Sequence, residues 1–557
     1  MDWRAGCFVR VAKRMIPTLE CIALSATTST LPALPNQNPT RNMMRNLPLA
    51  LPHAAMRPFA AVRTVALAIG MLVAIVDVAP VAAADGSTRP ANIVFIIADD
   101  CTFRDIGCYG GQAHTPNIDR LAQSGMKFNR CFQAAPMCSP TRHNLYTGLY
   151  PVKSGAYPNH TFAQDGTESI VHYLKPLGYR VALSGKRHVG PNEVFPFEYS
   201  GKGNPDMQQI DQLFAECKES KTPFCLFACS NEPHSPWNKG DASRYPPAKI
   251  KLPPYIVDTP MVRETFAKYL AEITYFDDQV GQILDRLDKH QLQDDTLVMV
   301  VSEQGNSFPF AKWTCYSNGL QSAMIVRWPG KVQAGSTTDA MVEYVDVTPT
   351  FLDVAGTTSP PKLDGKSFVP VLTGKTDQHK SFSYGLMTTR GIINGSDAYA
   401  IRTVRGQQYR LIWNLNHETK FTNACTQAPY FQSMVEAAKA GNSNAHELVN
   451  RYYYRPELEL YDCNADPLEM NNLAENPEYA SVIKELKSNL DQWMASQGDE
   501  GIETEYDAIL HQNAYKNMTR EEAREAWKTK NTKKAKQQGG SGKKRKAKKS
   551  AGGSRGD

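Results

Sequence analysis

With 557 residues, 41% of them hydrophobic, the chain has material for a large core and more than one domain, which excludes a peptide or a disordered scaffold. The formal net charge is +6, but residues 528–557 hold twelve Lys/Arg against one acidic residue; taking that net of +11 away leaves about −5 on everything before it. The body is mildly acidic, so its charge calls for no specific nucleic-acid partner.

The first element in chain order is a leader. Met56-Arg57 and Arg63 precede an apolar run from Val65 to Val76, and Val81 to Ala84 then supply small residues for signal peptidase. Residues 1–84 therefore read as a leader whose signal peptide starts at Met43 or Met56. The protein is expected to be exported, to a periplasm or outside the cell. The twelve cysteines suit that compartment and suggest a disulfide framework. Setting aside Cys7 and Cys21 with the leader, and Cys138 for chemistry, leaves an odd number, so at least one is expected free or paired between chains.

After the leader, apolar runs of strand length alternate with helical patterns, which predicts an α/β fold: a mainly parallel sheet covered by helices on both faces. Predicted strands are Asn92–Ala98, Arg180–Ser184, Pro223–Ser230, Thr296–Ser302 and Ala323–Trp328. Thr115-Pro116 is expected to cap a helix through Leu121, and Val262 to His290 carries a long amphipathic pattern. This catalytic part is expected to span 91–375. A Pro/Gly-rich connection leads to a smaller α+β domain over 381–515, with strands at Tyr409–Asn414 and Glu457–Tyr461 and a helix over Tyr479–Met494. The basic tail, 528–557, lacks aliphatic periodicity and is expected to be disordered. Such a run is most often solvated; the other reading is a grip on an anionic polysaccharide, nucleic acid or cell surface.

Polar residues at the strand ends carry the functional signal, because open α/β sheets build their sites beyond the carboxyl ends of the strands. Asp99-Asp100 follows the first strand; adjacent carboxylates either start a turn or share a hard cation with oxygen ligands. Lys186, Arg187 and His188 follow the second, in a Gly-bounded loop that would suit an anion and a proton transfer. His234 follows the third between Pro233 and Pro236, which restrict where it points. Glu303-Gln304 follows the fourth, with Lys312 further on, and offers the oxygens a calcium site needs. The sharpest motif is Cys138-Ser139-Pro140-Thr141-Arg142. Pro140 suits a first helical turn, which puts Cys138 at a helix N-terminus, where anions are favoured, and Arg142 one turn along. A buried structural cysteine is the alternative.

Together these residues resemble the type I sulfatase family, whose C-x-P-x-R signature marks the cysteine that maturation converts to Cα-formylglycine. Within the family the chain looks most like the N-sulfoglucosamine sulfohydrolases, in the runs Gly185 to Tyr199, Tyr409 to Asn416 and Tyr452 to Pro477. The resemblance implies an alkaline-phosphatase-like fold and hydrolysis of a sulfate ester or sulfamate on a saccharide. It implies one Ca2+ held by Asp99, Asp100, Glu303, Gln304 and the modified Cys138. Arg142 and Lys186 would steady the formylglycine, Lys186, His234 and Lys312 would contact the sulfate, and His188 would be the base. A formylglycine-generating maturation enzyme is the implied partner, and a homodimer stays open. The chain departs from the family at Glu303-Gln304, where most members carry Asp followed by Asn or His, and at Lys312, where the sulfamidases carry Arg.

Overall fold

The computed structural model describes residues 91–529 except 200, 202, 358–360 and 393. The predicted signal peptide and residues 530–557 of the tail lie outside the described residues. Among the described residues no helix is long and apolar enough to cross a membrane.

Eight strands form the larger sheet: β1 (Asn92–Ile97), β2 (Met126–Phe132), β3 (Arg180–Gly185), β4 (Phe224–Cys229), β5 (Thr296–Val301), β6 (Gln321–Arg327), β7 (Ser336–Thr338) and β8 (Val342–Glu343). Their order is β3-β4-β1-β5-β6-β2-β7, with β8 also paired to β2. β3, β4, β1 and β5 are mutually parallel, and β6 runs against them, antiparallel to both β5 and β2. The four parallel strands are nearly continuous runs of buried residues, as strands covered on both faces must be. Alternate residues face opposite layers. Val94 and Ile96 join one core with Phe266 and Leu270 of the helix Pro260–Lys289. Ile93, Phe95 and Ile97 join another with Leu145 and Tyr146 of the helix Cys138–Thr147 and Phe351 of the helix Val347–Val354. Each such side chain, fully buried, contributes about 1.5–3 kcal/mol.

The second sheet is antiparallel: β9 (Ser383–Met387), β10 (Ile401–Arg405), β11 (Tyr409–Asn414) and β12 (Leu458–Asp462), in the order β12-β11-β10-β9. Leu386, Val404, Leu411 and Leu460 pack with Leu490 and Trp493 of the helix Ala480–Gln497, and with Ala134, Tyr150 and Val345 from the larger sheet's side. Two buried ion pairs, Arg402–Asp499 at 2.5 Å and Arg410–Glu469 at 2.8 Å, tie this sheet to the segments around it.

Three expectations need correction. β2 was not foreseen, because its sequence MKFNRCF is polar at alternate positions. Thr115 precedes the helix Pro116–Ser124, but its hydroxyl accepts from Gly107 N at 3.0 Å and donates to Asp119 rather than capping the helix. The disulfide framework is absent among the described residues: all ten of their cysteines are free. Cys225 and Cys229 on β4 and Cys131 on β2 are fully buried and act as small apolar core residues.

Candidate active site

The four parallel strands stop side by side, and backbone hydrogen bonds carry their register one residue beyond the ladder. Ala98 N donates to Val301 O, Asp99 N to Glu232 O, Ser230 N to Ile97 O and Lys186 N to Cys229 O. The polar residues that follow each strand are therefore held next to one another. Asp100, His188 and Glu303 all have positive φ, at 61°, 49° and 60°, a conformation that costs a non-glycine residue energy and persists where the surroundings enforce it.

Asp99, Asp100 and Glu303 are buried, and one oxygen from each lies within 4.8 Å of the others. Gln304 joins them by donating from Nε2 to Asp100 Oδ1 at 2.6 Å. Asp99 Oδ1, Glu303 Oε2 and Gln304 Oε1 are buried and receive no hydrogen bond. Oxygens left without a donor in a dry interior are costly. A cage of such oxygens suits a hard divalent cation, and the residues present fit one.

Cations surround the cluster. Arg142 Nε is 2.8 Å from Glu303 Oε1, with both side chains fully buried, and Arg142 Nη1 donates to Lys186 O at 3.0 Å. The Lys186 ammonium pairs with Asp99. Lys312 Nζ reaches both oxygens of Asp100, at 2.5 and 2.6 Å. His234 Nε2 stands 3.6 Å from Asp100 Oδ2, and its Nδ1 donates to Ser235 O. Burial alone would push the Asp99 carboxyl up, but Lys186, then His234 and Arg142, hold it well below the usual range. Burial alone would lower Lys312, but Asp100, with Asp99 and residue 138 adding to it, raises it, so it stays charged. Burial, then Lys186 and Arg142, lowers His188 to about 3, so its ring is neutral and, with the site empty of an anion, only weakly basic.

Cys138 is the first residue of the helix Cys138–Thr147, as the motif predicts, and Thr141 N closes the first turn on Met137 O at 3.1 Å. The thiol is buried. Lys186, Glu303 and Lys312 all lie close enough to residue 138 to interact with it electrostatically. Every site residue read from the sequence is thus gathered in one place. Four others were missed: Ser307, whose hydroxyl donates to Asp100 Oδ2 at 3.0 Å; Tyr344, whose hydroxyl accepts from Glu303 N at 3.0 Å; and Asn159 and His160, described below. Ser307 alone had a local signal, three residues after Gln304. An open cavity of about 520 Å³, lined by Lys186, Arg187, His188, Asn192, Gly203 and Asn231, adjoins the site.

Such a centre, cation-rich around a helix-start cysteine and facing an oxygen cage, defines a hydrolase of anionic esters. Comparison with known proteins sharpens this. The Sulfatase family profile matches residues 91–357, and the profile for the C-terminal part of N-sulphoglucosamine sulphohydrolase matches 305–424 and 429–496. An ulvan-active sulfatase of Formosa agariphila is 34% identical over 424 residues, covering 74% of this chain and 81% of that one. The N-sulphoglucosamine sulphohydrolase of Homo sapiens is 27% identical over 458 residues, covering 73% and 90%. A structure solved in complex with its substrate D-glucosamine-2-N,6-O-disulfate superposes with TM-score 0.56 at 20% identity, covering 74% of this chain and 99% of that one. A phosphonate monoester hydrolase of Silicibacter pomeroyi superposes equally well, at 18% identity, which shows the shared alkaline-phosphatase-like fold. The chain belongs to the sulfatase family, and is a hydrolase of sulfate esters.

Proposed function

We propose that the protein removes sulfate from a sulfated saccharide of the N-sulfoglucosamine class, using Cys138 oxidised to Cα-formylglycine and one calcium ion. The observation that carries this reading is the convergence of Cys138, Arg142, Lys186, His188, His234 and Lys312 on the Asp99/Asp100/Glu303/Gln304 oxygens. The family-specific C-terminal match supports the sugar class.

The chemical obstacle is that a sulfate group's negative charge repels nucleophiles. Lys186, Lys312 and Arg142 offset that charge, and donors fixed in advance serve the transition state better than mobile water. Asp99, Asp100, Glu303, Gln304 and residue 138 would hold the calcium, which supplies further positive charge to the sulfate oxygens. Oxidised residue 138 supplies an aldehyde whose hydrate has one hydroxyl to attack sulfur and another through which sulfate can leave. His234, when its ring carries a proton on both nitrogens, or a neighbouring acid gives a proton to the departing oxygen or nitrogen. His188, neutral in the resting site, takes the proton whose removal frees the sulfate. An anion entering among the cations offsets their pull on His188 and strengthens it as a base.

A second reading, an O-sulfatase on another sulfated polysaccharide, is favoured by the 34% identity to the ulvan-active enzyme. Sulfate release from N-sulfoglucosamine and a panel of O-sulfated sugars separates the two. In the same experiment, peptide mass across residue 138 reports the formylglycine. Cys138→Ala is expected to keep the fold and lose turnover; retained turnover rejects the mechanism. We further infer export through the predicted signal peptide and maturation by a formylglycine-generating enzyme, checked by the N-terminus and residue-138 mass of the secreted protein.

A further inference from the structure

The chain passes the mouth of the site a second time, at Asn159–Phe162. Asn159 is buried, and Cys138 Sγ lies 4.0 Å from its Oδ1. His160 is exposed, with φ of 59°, and its ring lies 4.9 Å from that of His188 at 44°. Its Nδ1 is 3.0 Å from Gly391 O. A carbonyl only accepts, so Nδ1 carries the proton and Nε2 of the neutral ring presents a lone pair. Partial burial, with His188 adding to it, lowers the pKa of His160 and keeps the ring neutral.

The loop is fixed from two sides. Asn159 N donates to Arg390 O at 3.2 Å, and Gly391, at φ 78°, passes so close that a Cβ there would stand 1.9 Å from Asn159 O. On the other side Ala163 N donates to Gly190 O at 2.9 Å. Phe162, 42% exposed, lies over Gly190, where a Cβ would meet its ring carbons at 2.6 Å. Gly190 is two residues from His188.

We propose that His160 and Phe162 read the saccharide attached to the scissile sulfate, an inference that rests on the sulfated-saccharide reading above. The two ends of such a substrate ask for opposite chemistry. Sulfate oxygens need donors, which Lys186, Lys312 and Arg142 provide. A sugar offers O–H and N–H donors, and His160 Nε2 supplies an acceptor beside the reacting centre. Phe162 offers the apolar face of a pyranose a flat surface on which to rest.

The test is the ratio of kcat/KM on a sulfated sugar to kcat/KM on p-nitrophenyl sulfate, which has no neighbouring hydroxyl. His160→Phe and Phe162→Ala are each expected to lower that ratio at least tenfold, mainly through KM. His160→Gln, which retains an acceptor, is expected to recover most of it. Because both substrates are measured on one preparation, loss of folded enzyme cancels. A His160→Phe ratio within twofold of wild type overturns the proposal. Failure of the wild-type enzyme to release sulfate from any sugar counts instead against the saccharide reading, and shows before a variant is made.

Discussion

Arg142 and Glu303 face each other at 2.8 Å with no exposure on either side chain, one from the cysteine helix and the other from the tip of β5. The pair joins the layer that carries the thiol to the sheet that carries the oxygen cage. Two opposite charges taken out of water together are tolerable; one alone is not.

Arg142→Met is therefore expected to lower unfolding free energy by about 3–5 kcal/mol as well as turnover. Arg142→Met combined with Glu303→Met removes both charges and is expected to regain most of the stability but none of the activity. Urea unfolding and sulfate release on the three proteins check this; a double variant as unstable as the single one contradicts it.

The buried oxygens of Asp99, Glu303 and Gln304 that lack donors give a metal prediction. Calcium at a hundred times its Kd is expected to stabilise the protein by about 2.7 kcal/mol, and chelation to reverse this. Asp99→Asn is expected to abolish the response. A melting temperature indifferent to calcium and chelator in the wild type speaks against the cage.

Glu272 supplies a pH prediction away from the cage. It is buried, takes hydrogen bonds from the amides of Asn238 and Lys239, and so pins the loop that carries His234 to the helix Pro260–Lys289. Burial raises its carboxyl from 4.5 to about 8, with Glu232 adding to the rise and the two amides opposing it. A raised acid holds its proton more tightly when folded, so its contribution is complete below pH 4.5 and fades as pH climbs to 8. Glu272→Gln has no such proton to lose. The variant is expected to gain on the wild type between pH 5 and about 8.5, read as urea midpoints; a constant difference across that range refutes the assignment.

The free cysteines make reductant irrelevant to stability. Thermal midpoints with and without dithiothreitol are expected to agree. Native alkylation is expected to favour Cys108 and Cys463, the half-buried pair, over the seven buried thiols that remain once Cys138 is oxidised. A reductant-dependent midpoint points to a disulfide after all.

The legible parts of this protein are those where local sequence and tertiary role coincide. β1, β4 and β5 read directly because strands buried on both faces are apolar throughout, and each runs straight into its polar tip. Cys138 read directly because Pro140 and Arg142 lie within one turn of it. β2 did not, since a polar-alternating segment next to the antiparallel part of the sheet resembles many exposed stretches. Asn159, His160 and Tyr344 did not either. Their place in the site depends on contacts with residues far away in the chain, such as Gly391 and Glu303, which no short window contains.

The hydrogen bond from His160 to Gly391 has one more implication. The rim that would choose the sugar is braced by a stretch beyond β9, whereas the sulfate-cleaving groups all come from the larger sheet's strand tips and the cysteine helix. Changes at Arg390 and Gly391 can thus retune which glycan is accepted from outside the cutting apparatus, while Gly190 ties the other side of the same rim to the loop of His188.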